Sequence, residues 1–314
     1  MKAVEVAGLG RDFVSSGHRV TALDRVDFTV DEGEIVALLG ENGAGKTTLT
    51  KILATLLLPS RGTARVFGID VTARPEEVRR RQSVVFGGER GFYNRLSARE
   101  NLRFFAMLNG ASPRGLRKVV ERSLESVGLS DAADRAVQTY SRGMRQRLHL
   151  AIGFATDPSL VLLDEPTIGL DPVEAARLRA QISALRDRGV TILLTSHQLL
   201  DVEELADRVV ALDKGRVAED LRLADFARKA GFAATIKVSG SGAPPGPGTY
   251  RAISLRSREH TEGVWTVELA VEEWSTTSLG EIGALLDGCA VTTFEVTPAR
   301  LEDSFQRLYG VGRP

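Results

Sequence analysis

The sequence predicts an α/β protein: a mostly parallel sheet covered by helices, followed by a small α+β appendage. Three observations predict it. An apolar run at 35–39 leads through a glycine-rich turn into a helical stretch. Apolar runs then alternate with helix-length segments between residues 160 and 212. Beyond about residue 218 that alternation stops, and a Gly/Pro-rich stretch at 239–248 separates shorter strand-like runs.

Taken in order, residues 3–8, 26–30 and 35–39 read as strands and 46–57 as a helix. A short strand is expected at 83–86. Ser97-Ala98-Arg99-Glu100 forms a capping box that opens a helix through Leu108. Ser112-Pro113 predicts the start of another helix, with proline at its tolerated first position, ending before Gly128. A third helix is expected over 141–156. Strand 160–163, helix 172–188, strand 190–195, helix 198–206 and a last strand at 209–212 complete the parallel region. The appendage reads as helix 224–230, strands 233–238, 250–255 and 264–271, helix 279–286, strand 290–296 and helix 299–308. Trp265 and Trp274 are expected to pack in its core or on its surface.

The 314 residues suffice for two domains. Acidic and basic residues balance at 41 each, so no global field draws the chain to nucleic acid, and none is expected as a partner. Arg79-Arg80-Arg81 reads as a solvated helix face. The one cysteine, Cys289, allows no intrachain disulfide, suits a reducing cytoplasm and is expected to be an inert buried thiol. The N-terminus alternates like a strand and shows no signal peptide. The longest apolar runs fall far short of the roughly 20 residues needed to span a bilayer, so any membrane role would run through a partner.

The turn after the 35–39 strand is Gly40-Glu41-Asn42-Gly43-Ala44-Gly45-Lys46-Thr47, followed by Thr48. Glycines let the backbone wrap with its N–H groups inward, next to the positive end of a helix, which is a grip for phosphate. Lys46 suits β- and γ-phosphates, and the Thr47 hydroxyl suits Mg²⁺. At 160–165 an apolar strand ends in Asp164 and Glu165: the first suits the same Mg²⁺, the second an attacking water. Tyr140-Ser141-Arg142-Gly143-Met144 places a hydroxyl and free N–H groups at a helix start, a second anion site. Gly169-Leu170-Asp171-Pro172 and Thr195-Ser196-His197 complete the set.

The order of these five motifs resembles the ATP-binding cassette (ABC) ATPases over residues 1–217. The resemblance implies a P-loop NTPase cassette with a mostly parallel core sheet, an antiparallel β subdomain and a helical subdomain at about 97–156. An accessory α+β domain would occupy 222–314. It implies ATP and Mg²⁺ as cofactors and two cassettes closing head to tail around two ATP. In that arrangement Tyr140 to Met144 are the signature facing the partner's nucleotide, in a variant form carrying Arg142 and Met144. Asp171 is then the dimer-contact residue, His197 the γ-phosphate contact and Phe13 the adenine-stacking aromatic. Gly88 falls where the family places a glutamine, so that contact is missing or supplied by Glu89, which predicts slowed or retuned hydrolysis. Phe92 and Tyr93 are expected to anchor a separate transmembrane subunit. The signature and the closing Pro298-Ala299-Arg300-Leu301-Glu302-Asp303-Ser304-Phe305 are similar to the ABC-2-type exporters of the daunorubicin-resistance and nodulation kinds. That implies a subunit at the cytoplasmic face of the membrane, held there by a permease. An importer ATPase and a soluble cassette protein are the alternatives.

Overall fold

A computed structural model describes residues 1–15, 18–86, 91–229, 233–246, 250–261, 263–298 and 301, which fall into two units, Met1–Arg222 and Leu223–Pro314. The first unit begins with β1 (Lys2–Ser15) and β2 (His18–Asp31), then β3 (Ile35–Leu39) and α1 (Lys46–Leu53). Next come β4 (Arg61–Val66), β5 (Ile69–Asp70), α2 (Pro75–Arg81) and β6 (Gln82–Phe86). Three helices follow: α3 (Ala98–Leu108), α4 (Leu116–Ser126) and α5 (Arg142–Phe154). Then β7 (Leu160–Asp164), α6 (Pro172–Arg186), β8 (Thr191–Thr195), α7 (Leu199–Leu205), β9 (Arg208–Asp213) and β10 (Arg216–Arg222) complete it.

Strands β9, β3, β8, β7 and β6 lie side by side and parallel, with β10 antiparallel on the β9 edge. Strands β3, β7 and β8 are buried along their whole length, as a sheet covered on both faces requires. Alternate side chains serve different cores. Val161, Leu163, Ile192 and Leu194 join the cluster with α3, α4 and α5, while Leu160, Leu162 and Leu193 join that with α1 and the β1–β2 hairpin. A separate antiparallel sheet runs β2-β1-β4-β5.

Several local expectations needed correction. Strands β4, β5 and β10 were not expected, and of helix α2 only the solvated face at Arg79-Arg80-Arg81 was. The edge strand β10 reads Arg-Val-Ala-Glu-Asp-Leu-Arg and has no fully buried residue, so its apolar signal is weak. Helix α4 starts at Leu116 rather than at Ser112-Pro113, because Gly115 sits at φ 94°, outside helical backbone space. Helix α1 stops at Leu53; Thr55 is left-handed at φ 61°. The Ser97–Glu100 capping box formed as expected, and Arg79, Arg80 and Arg81 are exposed.

The second unit holds α8 (Leu223–Arg228), β11 (Ala234–Ser241), β12 (Ile253–Thr261), β13 (Val264–Val271), α9 (Thr276–Leu285) and β14 (Ala290–Pro298). Its strands form an antiparallel sheet in the order β12-β13-β11-β14. Trp265 is fully buried among Ile236, Val238, Leu269 and Ile282, whereas Trp274 is exposed. Cys289 is half-buried against this core rather than enclosed by it. The helix expected at 299–308 lies outside the described residues apart from Leu301.

Candidate nucleotide site

The loops that follow β3, β7 and β8 leave the same carboxyl edge of the sheet as neighbours, since the strand order there is β3-β8-β7. Such an edge is where open α/β sheets bind ligands. After β3, Gly40, Gly43 and Gly45 take positive φ of 149°, 87° and 104°. Two of these glycines are also forced by crowding. A Cβ on Gly40 would lie 2.3 Å from the Leu212 carbonyl oxygen, and one on Gly45 would lie 2.6 Å from that of Ala22. The loop thus wraps against β9 and β2 and delivers Lys46 into the first turn of α1, which carries no acidic residue. The buried Lys46 Nζ donates to the carbonyls of Gly40 at 2.6 Å and Glu41 at 3.0 Å. Burial pulls its ammonium below the usual lysine range, while Glu165 and Asp164 support its charge. Glu41, Asn42, Gly43 and Thr47 are exposed, Thr48 is half-buried and Ala44 is buried.

At the end of β7, Asp164 Oδ1 accepts a 2.6 Å hydrogen bond from Thr195 Oγ1. Glu165 follows at φ 53°, a left-handed conformation held by two bonds from its own N–H, to Thr195 O at 3.0 Å and Thr195 Oγ1 at 3.2 Å. A non-glycine residue held in this region costs about 1–3 kcal/mol and persists where the surroundings over-determine it. The Glu165 carboxylate then turns to His197, whose backbone N–H donates to Oε2 at 3.0 Å and whose Nε2 lies 3.2 Å from Oε1. Oε1 is buried and accepts no hydrogen bond within the protein. Burial raises the Glu165 pKa above the usual carboxylate range, against the His197 N–H bond and the charges of His197 and Lys46. A carboxylate with a raised pKa, whose buried Oε1 accepts no hydrogen bond within the protein, suits general-base chemistry.

The signature residues gather elsewhere, around the loop that leads into α6. Ser141 caps α5, its hydroxyl accepting from the Met144 N–H at 3.2 Å. Tyr140 is buried and donates to Ala132 O at 2.7 Å. Gly143 faces Glu174 so closely that a Cβ would lie 2.7 Å from its Oε2, and Arg147 Nε lies 3.3 Å from that same oxygen. The Arg142 guanidinium lies across Gly169, where a Cβ would meet its Nη1 at 2.1 Å. Met144 packs partly buried on the core. Asp171 caps α6, accepting from the Val173 and Glu174 N–H groups at 3.0 Å.

Residues 23–168 match the family model described as ABC transporter. The bacitracin transport ATP-binding protein BcrA of Enterococcus faecalis is 32% identical over 299 residues, covering 93% of this chain and 92% of that protein. The chain belongs to the ABC transporter ATPases. The daunorubicin/doxorubicin resistance ATP-binding protein DrrA of Streptomyces peucetius is 44% identical over 216 residues, 69% of this chain and 64% of that protein. Such relatives place the ATPase in the ABC-2-type exporter group. A solved structure of an ATP-binding subunit of an ABC transporter is 32% identical with a TM-score of 0.64, covering 72% of this chain and 92% of that one. The expected cassette fold is therefore borne out.

The structure brings Lys46, Asp164, Glu165 and His197 to one edge of the ATPase. Phe13 is 39% exposed on β1, with the Arg11 guanidinium carbon 4.7 Å from its ring centroid. Gly88 and Glu89 lie outside the described residues. Phe92 is half-buried: it packs on the helical core with its ring centroid 3.9 Å from that of His149. Tyr93 is 51% exposed and meets Phe104 edge-on at 5.0 Å. Sequence reasoning placed Thr195 in the His197 motif without its role, which is to bond Asp164 and Glu165 together, and missed Glu174 beneath Gly143. Glu174 had no signal beyond its place just after the Asp171 motif.

A magnesium ion fits the donors present. The Thr47 hydroxyl and the Asp164 carboxylate are hard oxygen ligands, and Mg²⁺ usually takes one or two such groups and completes its shell from phosphate and water. Among the described residues no group of three or more His, Cys, Asp or Glu forms a metal cage.

Proposed function

We propose that this ATPase works as one of two cassettes that close around two ATP and drive a separate exporter permease. The observation that carries this reading is Glu165: a strained, half-buried carboxylate whose buried Oε1 accepts no hydrogen bond within the protein, supporting the charge of Lys46 and braced by His197. The N–H groups of the Gly43–Thr48 segment receive phosphates, and Lys46 exchanges the loop carbonyls for phosphate oxygens. Thr47 and Asp164 hold the Mg²⁺, which screens phosphate charge. Glu165 Oε1 takes a proton from the attacking water, and His197 touches the γ-phosphate. Ser141, Gly143 and the α5 N-terminus of a second copy, with Asp171 at the contact, face the same nucleotide from across the dimer. Phe13 stacks on the adenine.

Relatives named for drug resistance and for bacitracin transport support export of a drug, antibiotic, lipid or polysaccharide-like substrate. No helix among the described residues is long and apolar enough to cross a membrane. The ATPase is assigned to the cytoplasmic face through its permease, with exposed Tyr93 and Phe104 offering an apolar docking surface. Affinity purification from detergent-solubilised membranes should retain an integral membrane protein, and vesicles holding both should extrude substrate when supplied with ATP. A chain that turns over ATP fully by itself and retains no membrane protein would overturn the transport assignment and leave the ATPase intact.

A further inference from the structure

Behind the carboxyl edge lies a buried polar cluster that the proposed chemistry does not use. Asp201 on α7 is fully buried, and its partners Thr167, Ser196 and Arg179 are 1%, 2% and 6% exposed. Two hydroxyls donate to one oxygen of Asp201: Ser196 Oγ reaches Oδ2 at 2.9 Å, and Thr167 Oγ1 bonds the same atom. Arg179 Nη1 on α6 donates to Oδ1 at 3.0 Å, and its Nε also pairs with Glu204. Thr167 stands two residues beyond Glu165, and Ser196 immediately precedes His197.

We propose that Asp201 is a positioning residue for hydrolysis, clamping the Glu165 loop and the His197 loop to a single carboxylate oxygen. The proposal rests on the roles given to Glu165 and His197 above. Burying an ion pair is costly, and apolar packing fills the same volume at least as stably. Directional bonds do something packing cannot: they fix where two loops stand relative to each other. Glu165 and His197 touch only where those loops meet, at 3.0 and 3.2 Å, so a shift of either loop separates base from histidine. Loss of reacting geometry by about 1 Å can cost on the order of a hundredfold in rate.

The test compares Thr167→Val, which keeps shape and removes the hydroxyl, with Thr167→Ser, which keeps the hydroxyl. Ser196→Ala and Asp201→Asn accompany them, all in the full chain. Three quantities are measured: kcat for MgATP, the Kd for ATP without turnover, and Tm. Thr167→Val should lower kcat by roughly ten- to a hundredfold with Kd and Tm close to wild type, and Thr167→Ser should retain the rate. Wild-type kcat in both Thr167→Val and Ser196→Ala would overturn the clamp, as would a kcat that falls only in step with Kd and Tm. If Asp201→Asn does not fold, the threonine pair decides alone. Lys46→Ala and Glu165→Gln serve as controls. If these two leave turnover unchanged, the site itself has been misread; if they abolish it while Thr167→Val is silent, only the clamp fails.

Discussion

Replacing Glu165 by glutamine tests the site most directly, because the structure says what survives the change. The side-chain amide oxygen can still accept the His197 N–H that now reaches Oε2 at 3.0 Å, so the two loops stay joined. What is lost is the charge and the basic, unbonded Oε1. Removing a positioned general base costs typically 10²–10⁴ in rate. At 1.36 kcal/mol per tenfold, that is about 3–5 kcal/mol of transition-state stabilisation. Binding should move the other way, because a buried negative charge leaves the neighbourhood of Lys46 where phosphate is to sit. Stability has a definite sign too. The folded-state pKa of Glu165 is raised, so its favourable contribution is full below the unfolded value and lost as pH rises through the folded one. The ionised carboxylate therefore burdens the fold at neutral pH, and the glutamine variant should melt higher. The assay is steady-state hydrolysis at saturating MgATP, with ATP titration, thermal melting and gel filtration for a trapped ATP-bound dimer. Turnover at the wild-type rate would refute the assignment of Glu165 as base.

Gly45→Ala should abolish tight ATP binding and lower Tm, since its φ of 104° and the Ala22 carbonyl 2.6 Å away leave no room for a methyl; nucleotide titration checks it. His149, its ring tilted against Phe92, has its imidazole pushed down to about 4 by burial, so its neutral form belongs to the fold. Stability should fall as pH drops from the ordinary value of 6.5 towards 4, by about 3 kcal/mol at 1.36 kcal/mol per unit. Denaturant melts of wild type and His149→Leu at both ends of that window would read this acid loss, which the variant should lack. In the second unit, Trp265→Ala should cost about 3–5 kcal/mol, as expected for emptying a fully buried indole. Gly240→Val should also destabilise that sheet, because a Cβ there would lie 2.1 Å from the Trp265 ring; near-UV circular dichroism follows both.

The central sheet was legible because its strands are apolar on both faces and bounded by glycine, proline or charge, so β3, β7, β8 and β9 came out within a residue or two. The short or edge strands β4, β5 and β10 were not. Strand β10 carries Arg216, Glu219, Asp220 and Arg222 on a half-exposed edge and is held by pairing with β9, a long-range fact that no local pattern encodes. The Ser112-Pro113 signal precedes α4 without opening it, because Gly115 takes left-handed backbone and the helix begins only at Leu116.

The site shows the same division between what is local and what is not. Gly40 to Thr47 is one continuous segment whose spacing is its chemistry, so its residues were readable as a set. The strain at Glu165 and the job of Thr195 were not, since both arise where β7 and β8 are brought into register, Asp164 opposite Thr195. Asp201 is the extreme case. In the sequence it is one acid among several on a short helix, flanked by Glu203 and Glu204, with nothing to single it out. Only folding gathers Thr167, Ser196 and Arg179 around it, from segments more than twenty residues apart in two of the three pairings. Residues that touch substrate tend to sit in short motifs because the substrate is small. Residues that hold those motifs in place answer to the tertiary packing, and their identity becomes visible only as shared hydrogen-bond partners.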